Sequence, residues 1–250
     1  MYENVGIEVE DGVLTVTMNR TEKKNALTAE MYACMAEALS DADDNPKVRV
    51  ILITGAGGSF TAGNDLGDFL KTPPVEHSAP VYRFITMLPR LLKPMVAAVE
   101  GVAVGIGTTM LLHCDLAYAA HGTRFMLPFI NLGLVPEAGS SLLLPRMVGH
   151  QRAAELLMLG ETFGAERARE LGIINAVCEP AHLMDTAREA AAKLAAKPSR
   201  ALLATKALLK RGDERVATRI AVEANEFRER LVSREAKDTI SAFLKRGKPK

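Results

Sequence analysis

Two stretches of this chain have residue types suited to holding a developing negative charge. The first is Phe60-Thr61-Ala62-Gly63-Asn64-Asp65-Leu66, and the second runs Val99-Glu100-Gly101-Val102-Ala103-Val104-Gly105-Ile106-Gly107. Each follows an apolar run with the character of a buried strand, and each places small residues where a helix starts. Such a junction leaves backbone N–H groups without intrahelical partners and adds the positive end of a helix dipole. Small side chains let a ligand oxygen come close to those N–H groups. Two such junctions brought together would make an oxyanion hole. Ordinary turns that use glycine for positive φ have the same composition, and on spacing alone that plainer reading carries more weight.

Other chemistries find little support. Gly55-Ala56-Gly57-Gly58 follows a strand pattern but fits neither GxGxxG nor GxxxxGK[ST], so a dinucleotide or P-loop site is not indicated. The five histidines show no metal-ligand spacing, and His113, between Leu112 and Cys114, reads as a satisfied core histidine. Cys34, Cys114 and Cys178 stand far apart without a CxxC, which points to reduced thiols rather than a disulfide or zinc scaffold. A net charge of +1 with interspersed signs gives no nucleic-acid surface. The basic ending, Lys245, Arg246, Lys248 and Lys250, reads as a solvated terminus. With no signal-peptide pattern, no apolar run of membrane-spanning length and no peroxisomal address at Gly247-Lys248-Pro249-Lys250, a soluble cytoplasmic protein is expected.

The elements that must position the two junctions follow from patterning. Alternation around Asp11-Gly12 predicts a hairpin carrying Ile7, Val9, Val13, Leu14, Val16 and Met18. Thr28 opens an amphipathic helix with Met31, Met35, Ala38 and Leu39 on its apolar side. Buried strands are expected at 48–53, 95–99 and 116–119, a helix near 79–92, and a short helix from Gly105 through Leu112. The repeated order strand, loop, helix implies an α/β layer. After about Gly149 helical patterns dominate, at 151–159, 165–171, 182–196, 199–210 and 216–244, with one strand-like break from Ile173 to Val177. The division expected is an α/β core over 1–197 and a helical region over 198–250.

Four blocks in order resemble the crotonase, or enoyl-CoA hydratase/isomerase, superfamily across nearly the whole chain. Asn19-Arg20-Thr21-Glu22-Lys23-Lys24-Asn25-Ala26-Leu27 resembles its R-P-x-x-x-N-A-L signature, with Thr21 in place of proline. The stretch Phe60 to Leu66 is similar to its F-S/C-A/S-G-x-D-L/I loop. Lys93-Pro94 through Gly107 and then Cys114-Asp115 resembles its K-P…G-x-G…C-D block, and Gly160-Glu161 through Val177 its A-x-x-A…G-L-V stretch. The resemblance implies a spiral of ββα units with a C-terminal helical trimerisation region. It also implies an acyl-CoA thioester substrate, with coenzyme A as part of the substrate and no separate cofactor or metal. The oxyanion donors would be the backbone N–H groups of Asn64 and Ile106. Lys24 and the segment Ala62, Gly63, Asn64, Asp65 and Leu66 would contact the CoA.

The two glutamates that hold water in hydratases of this family are absent: their positions carry Thr109 and Phe129. Neither side chain serves as a general base near neutral pH. Instead Pro128-Phe129…Leu132-Gly133…Pro136-Glu137-x-x-Ser140-Ser141 resembles the peroxisomal-type Δ3,Δ2-enoyl-CoA isomerase branch, as does Ala62-Gly63-Asn64-Asp65-Leu66. That branch keeps its single catalytic glutamate where Glu137 stands, a position that a helix-capping glutamate would also suit. Thr109, Phe129 and Leu134 would line the acyl pocket, and an apolar surround of Phe129, Ile106 and Leu134 would raise the pKa of Glu137. Alternatives are a hydratase, another crotonase reaction, or a non-catalytic acyl-CoA-binding module. Apolar residues on several sides of the last helices, Leu202 to Leu244, would either cover the chain's own core or face another surface, and the resemblance favours a homotrimer or dimer of trimers in which Phe243 and Lys245 reach a neighbour's CoA site.

Overall fold

A computed structural model of the chain describes residues 3–210 and 216–246. The hairpin forms where the Asp-Gly pair demands it: β1 (Val5–Glu10) and β2 (Val13–Met18) pair antiparallel across Asp11 and Gly12, both at positive φ, 48° and 78°. From β2 onward the sheet is parallel, through β3 (Val50–Gly55), β4 (Met95–Val99), β6 (Leu116–Ala120) and β9 (Ala176–Cys178), in the order β1-β2-β3-β4-β6-β9. The central strands β3 and β4 are buried on both faces, so they read as apolar runs. Ile51 and Ile53 of β3 face the main core, while Val50 and Leu52 pack with Leu183, Ala187 and Ala191 of α8 (Leu183–Ala195) on the other side.

A second sheet joins β5 (Val102–Val104), β7 (Arg124–Met126) and β8 (Thr162–Gly164). Each strand is only three residues long, too short for a period-2 pattern to show, and sequence patterning did not reveal them. Together the sheets produce the ββα repeat. A long strand is followed by a short one and then by helix, as in β4, β5 and α4 (Ile106–Thr109). The predicted short helix continues past Thr109 as one 3₁₀ turn, Met110–His113. The break expected at Ile173 to Val177 forms its strand later, at β9, because Ile173 and Ile174 turn inward and are buried in the main core.

Thr28 caps α1 (Ala29–Asp44), its hydroxyl accepting from the Met31 N–H at 3.3 Å. The helix buries Met31, Met35 and Leu39, and also Tyr32. The Lys93-Pro94 and Cys114-Asp115 residues join strand ends. Asp115 accepts from the Met95 N–H at 2.8 Å and pairs at 2.8 Å with Lys206 of α9 (Ser199–Leu209), whose Nζ also donates to the Lys93 carbonyl at 2.6 Å. Ile7 and Val9 of the hairpin lie exposed on the edge strand.

The stretch predicted as one helix over 216–244 is two, α10 (Val216–Leu231) and α11 (Arg234–Arg246), broken at Val232-Ser233. Ile220, Phe227, Leu231 and Ile240 join the chain's own main core. Leu208, Leu209, Val222, Val232, Phe243 and Leu244 stay exposed. The apolar surplus therefore splits between covering this chain and facing outward. Residues 247–250, which hold the end of the basic tail, lie outside the described residues. Among the described residues no helix is long and apolar enough to cross a membrane.

Candidate active site

The two glycine-containing junctions meet because short backbone pairings weld them together. The Thr61 N–H donates to the Val102 carbonyl at 3.0 Å, and the Val104 N–H returns a bond to Thr61 at 3.0 Å. Gly63, at φ 87°, lies so close that a β-carbon there would stand 2.7 Å from the Val104 carbonyl oxygen. Leu27 donates to Gly63 and Asp65 donates back to Leu27, at 2.8 and 2.9 Å. Fully buried Phe60 anchors the first junction in the core. Its burial contributes roughly 2–3 kcal/mol. Gly105, at φ 55°, turns β5 into α4 and donates to the Met126 carbonyl at 2.9 Å. Among the described residues, neither the Asn64 N–H nor the Ile106 N–H has a backbone acceptor. The two N–H groups thus stand at the ends of adjoining segments, each without a backbone partner.

A cavity of about 230 Å³ opens beside this seam, lined by Ala62, Gly63, Asn64, Leu66, Phe129 and Leu134 among others, with Phe227 and Phe243 closing it from α10 and α11. Of the residues singled out in the sequence, Lys24, Asp65, Ile106, Thr109 and Glu137 do not line the cavity. Lys24 is exposed in a left-handed turn, and its carbonyl accepts from the Ala62 N–H at 2.8 Å. Asp65 points elsewhere: its carboxylate pairs with Arg20 at 2.7 Å and caps α2 (Leu66–Lys71) through the Gly67 and Asp68 N–H groups. Arg20 beside it and those N–H groups hold its pKa below the usual range, against the upward pull of burial. Ile106 and Thr109 are fully buried. Phe243 lies on its own chain's cavity and is also partly exposed, while Lys245 is exposed.

Glu137 sits one side chain behind the cavity wall. It is buried, and the Asn64 side-chain amide beside it favours its ionised form. Its Oε1 has no partner among the described residues. The Tyr32 hydroxyl donates to Asn64 Oδ1, which orients the amide so that its N–H₂ faces Glu137. Burial above all, with the negative charge of Glu223 behind it, pushes the pKa of Glu137 up to about 8 against the opposing influence of the Asn64 amide. Thr109 Oγ1 and Ser140 Oγ are likewise buried without partners among the described residues. The next two residues after Glu137, Ala138 and Gly139, are left-handed at φ 55° and 73°. The Ala138 carbonyl contacts His113 Nε2 at 2.7 Å, and burial drives the pKa of His113 down to about 4, so the ring is a neutral core group.

Sequence reasoning missed Tyr32 and Glu223. Tyr32 lies beside Met31 on the buried side of α1, where a phenol hydroxyl needs an acceptor, and that was a readable signal. Glu223 carried none, since its partners Gly139 and Ser141 lie 84 and 82 positions away.

Residues 8–250 match the family model described as enoyl-CoA hydratase/isomerase. The chain is 37% identical to 1,2-epoxyphenylacetyl-CoA isomerase of Escherichia coli K12, over 100% of this chain and 98% of that protein. It is 32% identical to the short-chain-enoyl-CoA hydratase of Clostridium acetobutylicum, over 98% and 96%. Its fold superposes on the structure of Pseudomonas aeruginosa OdaA with a TM-score of 0.94 at 48% identity, over 97% and 99% of the two chains.

Proposed function

Since the chain belongs to the enoyl-CoA hydratase/isomerase family and has its crotonase-type α/β fold, we propose that it is a Δ3-to-Δ2 enoyl-CoA isomerase of the peroxisomal-type branch. The observation that carries this reading is the carboxylate Glu137, buried behind the cavity wall and raised to about 8, with Thr109 and Phe129 where hydratases place their pair. Ionised Glu137 takes a proton from C2 of a 3-enoyl thioester. The electron pair shifts through the 3,4 double bond, and the charge gathers on the thioester oxygen of the dienolate. The N–H groups of Asn64 and Ile106 stabilise that oxygen. Glu137 then returns the same proton to C4, leaving the 2-enoyl product with atoms and charge conserved. A carboxyl with pKa near the working pH suits both halves, since it must accept and then release. Asn64 joins the two parts of the site, because its backbone faces the oxygen and its side chain holds the base.

Ala62, Gly63, Asn64 and Leu66 form the CoA-side wall with Lys24 at the rim, and Phe129 and Leu134 line the acyl side. Asp65 acts as the strut that fixes this wall through Arg20. The dry surroundings, together with Thr109 and Phe129, leave no group to activate water, which sets isomerisation above hydration. Incubating the protein with 3-hexenoyl-CoA should yield the 2-enoyl thioester. Absence of conversion, with crotonyl-CoA hydrated instead, overturns the reading in favour of a hydratase.

The exposed residues Leu208, Leu209, Val222 and Val232, together with Ile130, Met158 and Leu159 elsewhere, support self-association. We infer that residues 198–250 complete the 1–197 core and help form a homotrimer or dimer of trimers.

A further inference from the structure

The loop that carries Glu137 is fastened by a residue far downstream. Glu223 of α10 reaches the start of α5 (Ser140–Val148), where Oε2 accepts from the Gly139 N–H at 2.6 Å and Oε1 from the Ser141 N–H at 2.9 Å. It is buried, and Arg219, one turn earlier on α10, donates to Ser141 Oγ at 3.3 Å. A carboxylate bidentate on two free N–H groups at a helix start is a strong, directional hold. The two residues between Glu137 and Ser140 are left-handed, a strained turn spanned locally by the Ser140 N–H donating to the Glu137 carbonyl at 3.0 Å, and the Glu223 carboxylate braces it from outside.

We propose that Glu223 is a positioning residue for the isomerisation: it fixes the backbone that aims Glu137 and places a second negative charge behind it. This rests on the proton-shuttle reading of Glu137. The groups facing Glu137 from the packed elements are Tyr32 of α1, Tyr82 of α3 (Pro80–Met87), the Asn64 amide, and Glu223 with Arg219 of α10, with neutral His113 holding the adjacent carbonyl. Burial raises the pKa of Glu223 as well, while hydrogen bonds from Ser141 and Gly139 and the charge of Arg219 pull it back toward the ionised form. Ionised Glu223 disfavours ionised Glu137, so its removal lets the base ionise at lower pH.

The test is Glu223→Gln in the intact chain, with 3-hexenoyl-CoA as substrate. Expected are KM within about twofold of wild type and kcat lower by ~10–100-fold, since a displacement of an ångström at the base has that effect. The acid limb of the pH profile of kcat should move to lower pH. A wild-type kcat and profile, or a loss of kcat that tracks unfolding with the limb unmoved, overturns the proposal. If the Gln variant does not fold, Glu223→Asp keeps the charge but withdraws it from the two N–H groups. Lowered kcat with KM unchanged is then expected, and wild-type kcat overturns the proposal. Carbon-13 titration of the Glu137 carboxyl, identified by its loss in Glu137→Gln, separates the two readings. Turnover in Glu137→Gln would remove the proton-shuttle reading, whereas an unmoved Glu137 titration in Glu223→Gln would remove only this one.

Discussion

Replacing Glu137 with Gln takes a titratable group out of a dry site, and activity and stability should respond in opposite directions. The carboxyl stands at about 8 in the fold against a reference of 4.5, chiefly through burial. That gap corresponds to ~5 kcal/mol against the ionised form. A folded-state pKa above the unfolded one means stability is fully present below about pH 4.5 and is lost as pH rises through about 8. At pH 7 the loss already amounts to on the order of 3 kcal/mol. Gln keeps an oxygen for the Asn64 amide and carries no charge, so the variant should melt ~6–12 °C higher at pH 7. The advantage should vanish near pH 4.5. Meanwhile kcat should drop by ~10³–10⁴-fold, because one group performs both proton transfers. Thermal unfolding of both proteins across pH 4 to 9, alongside turnover of 3-hexenoyl-CoA, provides the comparison. A stability difference that does not change with pH would refute the account of a buried, raised carboxyl, and wild-type turnover would refute its role as base.

In the wild type, kcat for isomerisation should rise with pH through about 8, as Glu137 ionises, and a flat profile from pH 6 to 9 would contradict this. Hydration of crotonyl-CoA should be at least ~100-fold slower than isomerisation, which parallel spectrophotometric assays on one preparation would check. Tyr32→Phe should lower kcat by about tenfold with little change in KM, since it leaves Asn64 Oδ1 without its donor and frees the amide to rotate. Gly63→Ala should destabilise the fold by at least ~2 kcal/mol and abolish turnover, because its β-carbon would meet the Val104 carbonyl at 2.7 Å in a left-handed backbone; calorimetry reads the first and product formation the second. Sedimentation at micromolar concentration should show a species larger than the monomer, and a stable, active monomer would refute the assembly.

The parts of the fold legible in the sequence were those whose period exceeds a few residues. The Asp-Gly hairpin, α1 with its Thr28 cap and the doubly buried β3 and β4 each carried a pattern that sterics and burial impose. The second sheet was not legible, because three-residue strands such as β5 and β7 are defined by what they pair with. The same holds for the site. Glycines and small residues marked the two junctions, but spacing alone read as ordinary turns, and Asn64 and Ile106 were singled out through the family resemblance. The Arg20–Asp65 pair and the Tyr32–Asn64–Glu137 chain are tertiary, formed by side chains whose local surroundings look ordinary. Asp65 shows the hazard: it stands beside the cavity in sequence, yet its carboxylate serves Arg20 and a helix cap.

Phe227 and Phe243 close the cavity from α10 and α11, so the site is completed by segments synthesised after both sheets. The main sheet and its small companion sheet are all drawn from residues up to Cys178 and can gather while synthesis continues. A nascent or C-terminally shortened chain would then display the welded junctions with one side of the acyl cavity open to water. Activity during synthesis should therefore switch on late and abruptly, when α10 and α11 dock, rather than accrue in proportion to chain length.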